Sequence, residues 1–110
     1  MSGELLDRFA IGALEVRVTR SCARRDLYDA RAPGPLPLAL RDALAGRGTL
    51  AGTDALWIVD VPGVHRVTVS AASGRIVILP RMEPERAAQR AAVDELVGWI
   101  DRALAALGPS

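Results

Sequence analysis

The sequence predicts an α+β fold, in which a roughly four-stranded antiparallel sheet carries helices on one face and the chain ends in a long helix. Three patterns support this fold class. Residues 13–20 alternate apolar and polar side chains, which is the period of a strand with one buried face. Residues 64–70 and 75–79 repeat that alternation around a Ser-Gly turn and predict a hairpin. Residues 84–107 place apolar side chains at helical spacing and predict one amphipathic helix.

The N-terminal segments are less regular. The one-sided apolar patch of Leu5, Leu6 and Phe9 predicts a short helix over residues 2–10. The polar, arginine-rich stretch 21–31 is read either as a loop or as a short helix.

Prolines and glycines punctuate the middle of the chain. The prolines within residues 32–37 predict a turn, because proline lacks the N–H that a helix interior or a sheet ladder requires. The leucine spacing over residues 37–45 predicts a helix, and residues 46–54 are expected to be a Gly- and Thr-rich loop.

Residues 56–61 predict a strand with two apolar faces. Such a strand is central in a sheet or covered on both sides. The sequence leaves open which face joins the core. One face carries Leu56 and Ile58, and the other carries Trp57, Val59 and Val61.

Length and charge set broad limits. A chain of 110 residues fits one domain, spanning residues 1–110. Its 14 basic and 13 acidic residues give a formal net charge of +1, which provides no general attraction to nucleic acid or to an anionic membrane. All the basic residues are arginine and asparagine is absent. We read this bias as that of a GC-rich bacterial genome, so the choice of arginine over lysine carries little functional weight.

The cysteine content and the N-terminus predict a cytoplasmic location. Cys22 is the only cysteine, so no disulfide can form within the chain, which fits a reducing compartment. The first residues lack the pattern of a signal peptide, and no apolar stretch is long enough to span a bilayer.

Three places in the sequence carry groups that could form a chemical site. His65 follows a Pro-Gly turn with Asp60 nearby, but a zinc site or a hydrolase needs more groups than these, so we expect a half-exposed hairpin residue. Neighbouring arginines could make the Cys22 thiol reactive, yet no second thiol or nearby histidine supports redox or nucleophilic chemistry. Residues 46–52 lack the strand-before, helix-after order of a phosphate loop and are read as a connector. We therefore expect no cofactor, no metal and no enzymatic activity.

The sheet face opposite the helices is the most informative surface. An apolar strip with a polar rim is typical of a contact surface, and the alternative is that residues 21–31 or 46–54 fold over it. A second candidate surface lies at the margin of the last helix, where a tryptophan is placed. The predicted interface residues are Trp57, Val77, Leu79 and Trp99.

A local group of arginines is a candidate contact for phosphate or another anion. Acidic residues are interleaved with it and weaken its field, so the alternative is a solvated, mixed-charge face. The group consists of Arg17, Arg20, Arg24, Arg25 and Arg31, which Arg66 and Arg75 could join across the sheet.

Residues 66–107 read as an apolar strand, a Ser73-Gly74-Arg75 turn, a second apolar strand, an acidic helix start and a long alanine-containing helix. This order resembles one repeat of the TATA-binding protein family. The resemblance implies a curved antiparallel sheet whose concave face binds DNA or a second copy. It does not extend to DNA bending, because the family's intercalating Phe corresponds to Ala71 and the chain has room for one repeat.

Together these observations favour a non-catalytic interaction module that acts as a homodimer or as a subunit of a larger assembly. The partner is then a second copy or another protein, and two-fold dimers are the commonest homo-oligomers. The alternative is a nucleic-acid-binding domain that uses the open sheet face and the arginine group. No membrane partner is expected.

Overall fold

Seven strands and two helices account for most of the part of the chain described by the computed structural model, which covers residues 5–22, 25–61, 65–80 and 86–107. The first half contains β1 (Leu5–Ile11), β2 (Leu14–Cys22), β3 (Arg25–Arg31) and α1 (Leu38–Ala45). The second half contains β4 (Thr49–Gly52), β5 (Leu56–Val61), β6 (His65–Ser70), β7 (Arg75–Pro80) and α2 (Arg86–Leu107).

All seven strands form one sheet in the order β1-β2-β3-β7-β6-β5-β4, and every neighbouring pair is antiparallel. The sheet is two meanders joined side by side. Helix α1 carries the chain from β3 to β4 at the far edge, and the second meander then returns until β7 pairs with β3. Strands β1 and β4 are therefore the two edges.

The prediction of a four-stranded sheet is wrong, because three segments that were read as helix or loop are strands. Residues 5–11 form β1 where a helix over 2–10 was expected. Residues 25–31 of the arginine-rich stretch form β3, and residues 49–52 of the Gly-rich segment form β4. The overall α+β class and the long C-terminal helix are retained.

In each of these three strands there is a physical reason why the alternation of apolar and polar residues is not evident. In β1, Phe9 and Ile11 pair with core residues of β2, whereas Leu5 is exposed beyond an irregularity in the register. In β3, the core-facing positions include the charged residue Asp26, so the buried face does not look apolar. Strand β4 is a four-residue edge, and such edges carry little apolar signal.

The other elements are confirmed with small changes in their bounds. The strands predicted over 13–20, 56–61, 64–70 and 75–79 correspond to β2, β5, β6 and β7. Helix α1 begins after Pro37, which suits the first turn of a helix. Helix α2 is described from Arg86 onward, so its predicted start at Pro84 lies outside the described residues.

One core lies between the helices and a single face of the sheet. Helix α2 contributes the fully buried side chains Val93, Leu96, Val97 and Ile100, in the predicted positions. Strand β5 contributes Trp57 and Val59 to this core, which answers the question that the sequence left open. The remaining buried apolar side chains come from α1, its preceding turn and the central strands: Leu14, Val16, Val18, Tyr28, Ala30, Leu36, Leu40, Leu44, Val67, Val69, Ile76 and Ile78.

The polar flank of α2 contacts edge strand β1 of the sheet. The Arg90 guanidinium lies 3.8 Å from the centroid of the Phe9 ring and pairs with Asp7 at 3.1 Å and with Asp94 at 3.0 Å. The backbone N–H of Arg8, together with Arg90, holds the pKa of Asp7 below its ordinary value. These contacts attach edge strand β1 to the helix.

Two further polar contacts position α2 on the sheet. The Asp101 carboxylate accepts the backbone N–H of Ala13 at 3.0 Å, and the buried Gln89 side chain accepts the N–H of Asp26 at 3.5 Å. Gly12 has a φ of +59°, and a Cβ there would overlap the Asp101 carboxylate. The β1–β2 turn therefore needs glycine on two grounds.

Candidate contact surface on the open sheet face

The side of the sheet away from the helices is covered by no described element; we call it the open face. Its residues alternate with the core residues along every strand, and the strand register arranges them in three rows. The first row is Ala10, Glu15, Arg31, Arg75, Ser70 and Leu56; the second is Arg8, Arg17, Asp29, Val77, Thr68, Ile58 and Ala51; the third is Leu5, Thr19, Leu27, Leu79, Arg66, Asp60 and Thr49.

A band of apolar side chains crosses these rows diagonally, and we call it the apolar band. It runs from Leu27 on β3 through Leu79 and Val77 on β7 to Ile58 and Leu56 on β5. Four of the five are half-buried by their sheet neighbours alone, and Leu56 is 46% exposed. Strand β6 lies between β7 and β5 and places Thr68 between Val77 and Ile58, so one polar side chain interrupts the band. Apolar patches on a sheet face are a feature of contact surfaces.

The carboxylates of the open face are all matched by arginines. Arg8 pairs with Glu15 at 3.0 Å, Arg75 with Asp29 at 3.0 Å and Arg66 with Asp60 at 3.4 Å, and the described residues form no other ion pair on this face. Each pair joins neighbouring strands. Because most of these side chains are largely solvated, the pairs add little to stability, but they neutralise the charges locally.

Two arginines of the open face are left without a carboxylate. Among the described residues, neither Arg17 nor Arg31 makes a side-chain hydrogen bond or ion pair, and both are exposed. Arg17 on β2 lies opposite Asp29, and Arg31 on β3 lies between Glu15 of β2 and Arg75 of β7. Both carboxylates are paired with other arginines, Asp29 with Arg75 and Glu15 with Arg8. The five arginines and three carboxylates leave an unmatched positive corner beside the apolar band.

Next to edge strand β4, the open face contains a depression of about 480 Å³. Its lining includes Ile58 from the apolar band, with Thr49 and Ala51 from β4 and the Asp60–Arg66 ion pair at its rim. A depression of this size with an apolar side chain in its lining suits one or two side chains of a partner.

The four predicted interface residues do not share one surface. Val77 and Leu79 lie together on the open face, as expected. Trp57 faces the core with no exposed area, so its assignment to an interface is corrected. Trp99 is half-buried against the core, and the Arg47 guanidinium lies over its ring at 4.8 Å from the centroid. The Trp99 ring is therefore already partly covered by Arg47 of the same chain.

The predicted arginine group is also divided. Arg17, Arg31, Arg66 and Arg75 lie on the open face, but Arg66 and Arg75 are paired with carboxylates. Arg20 follows the open-face residue Thr19 on β2, so it is on the helix side of the sheet, near the end of the strand. Arg24 lies outside the described residues, and so does the side chain of Arg25, together with that of Cys22.

The alternative that residues 21–31 or 46–54 fold over the open face does not hold for their described parts. The described part of residues 21–31 forms strand β3, and residues 49–52 form edge strand β4. The glycines of residues 46–54 allow close strand pairing. A Cβ at Gly48 would meet the Asp60 carbonyl, and a Cβ at Gly52 would meet the Leu56 carbonyl. The phosphate-loop reading of residues 46–52 has no support in this geometry.

Sequence reasoning placed Leu27 and Arg31 in a loop or short helix and so missed both as residues of the sheet, although Arg31 belongs to the predicted arginine group. Their signal was present in the alternation of β3, where Leu27, Asp29 and Arg31 face outward between Asp26, Tyr28 and Ala30. The charged residue Asp26 on the buried side of β3 obscured this alternation.

His65 is buried, with 6% of its surface exposed, and is not the half-exposed residue that was expected. Within the described residues, neither Nδ1 nor Nε2 has a hydrogen-bond partner. Asp60 lies on the open face, on the other side of the sheet from His65, so the two do not combine. Burial, with a smaller contribution from Arg47, lowers the pKa of His65 below its ordinary value, while Glu95 acts in the opposite direction.

We expect the protein to lose stability as the pH falls below about 6.5, the ordinary histidine pKa. The unfolded chain binds a proton at His65 in this range while the folded chain resists it, so protonation favours unfolding. Chemical denaturation between pH 7.5 and 5.5 checks this. His65→Leu should flatten the profile, since His65 is the only histidine; a wild-type profile that matches the variant's would contradict the assignment.

No family model, curated protein or solved structure matches this chain. The resemblance of residues 66–107 to a repeat of the TATA-binding protein family therefore stays a prediction. Among the described residues, no group of three or more His, Cys, Asp or Glu side chains is placed to hold a metal ion. Neither described helix is long and apolar enough to cross a membrane.

Proposed function

We propose that this protein is a non-catalytic interaction module of the bacterial cytoplasm, which acts as a homodimer or as a subunit of a larger assembly through its open face. The observation that carries the proposal is the apolar band, which crosses three strand spacings of a sheet face that no described element covers. Burying such a band against a partner removes apolar surface from water, which is the main favourable term in association.

The size of the open face is sufficient for a specific interface. Its rows contain about twenty side chains, and each occupies roughly 30 Å² at the usual strand spacing and residue rise. Two such surfaces would bury on the order of 1,200 Å², the lower end of the range for specific protein–protein interfaces.

A second concave surface on the described part of the chain is a weaker candidate. A groove of about 600 Å³ runs between the proline-rich turn and the end of α2, and its lining is mostly apolar. Asp101 is its one charged lining residue, and that carboxylate already accepts the Ala13 N–H. The groove therefore offers little to select a partner.

A nucleic-acid-binding domain is the second candidate, because five arginines lie on the open face. Three of them are neutralised by carboxylates. The face also lacks an aromatic side chain on which bases could stack, since Phe9, Tyr28 and Trp57 are on the core side. These observations favour a protein partner.

The proposal is tested by changing one residue of the apolar band. We expect Leu79→Arg to release the protein from its dimer, or from a larger assembly in an extract of its source cells, because the charge would be desolvated at the contact. Sedimentation of the purified protein and size fractionation of the extract measure this. The variant should melt within a few degrees of the wild type, because Leu79 is not in the core.

Two variants serve as controls for this test. Leu107→Arg places the same charge at an exposed leucine at the end of α2, and Trp99→Ala tests the second predicted surface. Both should keep the association. A wild type that is monomeric in both samples, or an assembly that survives Leu79→Arg, would contradict the proposal.

A further inference from the structure

We infer that the partner of the open face is an acidic amphipathic helix of another protein, which places its apolar side on the apolar band and its carboxylates on Arg17 and Arg31. This inference rests on the proposed function and adds the chemistry of the partner. It follows from the charge balance of the open face, its dimensions and the side chains that it lacks.

The charge balance requires carboxylates from outside. Every carboxylate of the open face is already paired, while Arg17 and Arg31 have no partner among the described residues. A partner that covers the apolar band would desolvate these neighbouring guanidinium groups. Burial of an unpaired charge is costly, so a complementary partner must bring at least two carboxylates.

A second copy does not meet this requirement. Two open faces packed together would bring four unmatched arginines into one interface and no unmatched carboxylate. The separation between the two sheets would be about 10 Å, close to the screening length at physiological salt, so the repulsion would be only partly screened. The charge pattern therefore favours a different protein over self-association.

The geometry fits a helix. Arg17 and Arg31 occupy diagonal positions on neighbouring strands, which places their Cα atoms about 7–8 Å apart. Carboxylates three or four residues apart on a helix are about 5–6 Å apart at Cβ, within reach of both arginines. The apolar band crosses three strand spacings and two rows, a length of about 20 Å. A helix of about 13 residues covers that distance.

The depression near β4 gives the partner helix a fixed end. It lies beside Ile58, on the β5 side of the apolar band, and the unmatched arginines lie on its β3 side, on β2 and β3. A large apolar side chain at one end of the helix would enter the depression, and carboxylates toward the other end would meet Arg17 and Arg31. The two features together set the direction of the helix across the sheet.

The test uses a fluorescent synthetic helical peptide with leucines along one face and glutamates beside them. We expect it to bind the wild-type protein at least about ten-fold more tightly than a peptide in which glutamine replaces every glutamate. Added salt should weaken the binding of the glutamate peptide, because the contacts are between partly exposed charges. Fluorescence anisotropy measures both affinities.

Matched double variants locate the contact. Arg17→Gln with Arg31→Gln should remove the preference for the glutamate peptide without lowering the melting temperature, because neither side chain bonds to another described residue. Arg20→Gln with Arg102→Gln changes the net charge equally at exposed arginines away from the open face and should keep the preference. Backbone amide shifts should move on the strands around Leu79 and Ile58.

Several outcomes would overturn the inference. These are equal binding of the two peptides, loss of the preference in the control double variant, tighter binding of a single-stranded oligonucleotide at the same site, or a wild-type homodimer that buries the open face. In the last case the proposed function would stand while the acidic partner would not. If Leu79→Arg leaves every assembly intact, the proposed function fails as well.

Discussion

Truncation of Leu96 or Ile100 to alanine is expected to lower the free energy of unfolding by about 2–5 kcal/mol. Both side chains are fully buried on the sheet-facing side of α2, so each truncation removes apolar contacts and leaves a cavity in a close-packed core. The helix crosses a wide sheet with few other covering elements, which leaves little else to fill the space. Thermal and denaturant melts measure the loss.

Leu107→Ala is the control for this prediction. Leu107 lies on the same helix but is 42% exposed, so its truncation should cost less than about 1 kcal/mol. If the melts of Leu96→Ala and Ile100→Ala barely differ from that of the control, the assignment of the α2 face to the core is wrong.

The second large effect is expected at Trp57, whose truncation to alanine should cost about 3–5 kcal/mol. Its side chain is fully buried, and its indole N–H donates to the Asp54 carbonyl at 2.9 Å. Trp57→Phe should cost less than Trp57→Ala, because most of the buried apolar area is kept and only this hydrogen bond is lost. Denaturant unfolding of the two variants separates the contributions.

Leu56→Ala is the matched control, since Leu56 is the preceding residue of β5 and faces the open side with 46% exposure. We expect it to change stability by less than about 1 kcal/mol. If Leu56→Ala lowered the stability more than Trp57→Ala, β5 would present its other face to the core.

The elements that the sequence predicted well are those in which one apolar pattern has a single interpretation. Helix α2 keeps its apolar spacing over six turns, and no charged residue interrupts the buried side of β2 from Leu14 to Val18, of β6 or of β7. Local pattern alone then identifies both the element and the face that it buries.

The strands that were missed depend on tertiary context. Strand β1 is an edge whose apolar residues Leu5, Leu6 and Phe9 also fit one side of a helix turn. Strand β3 buries Asp26 beside Gln89 of α2, a contact between residues 63 positions apart that the local sequence does not reveal. Strand β4 becomes a strand only because β5 supplies its partner.

The candidate surface was predictable in part. Val77 and Leu79 follow from the alternation of β7, and the alternative of Leu56 and Ile58 was stated for β5. The remainder of the apolar band and the unmatched charge of Arg31 required β3 to be recognised as a central strand. Which arginines are neutralised depends on cross-strand register, and the sequence does not specify that register across a crossover.

The most direct test of the open face is the relaxation of side-chain methyl groups by a soluble paramagnetic reagent, measured by NMR. We predict strong relaxation for the methyls of Leu27, Ile58, Val77 and Leu79 in the dilute protein, and protection of the same methyls when the acidic helical peptide is added. The core-facing methyls of Val67, Val69, Ile76 and Ile78 should stay protected throughout. Equal protection of the two sets in the free protein, or no change on adding the peptide, would contradict the central claim that this face is uncovered and receives a partner.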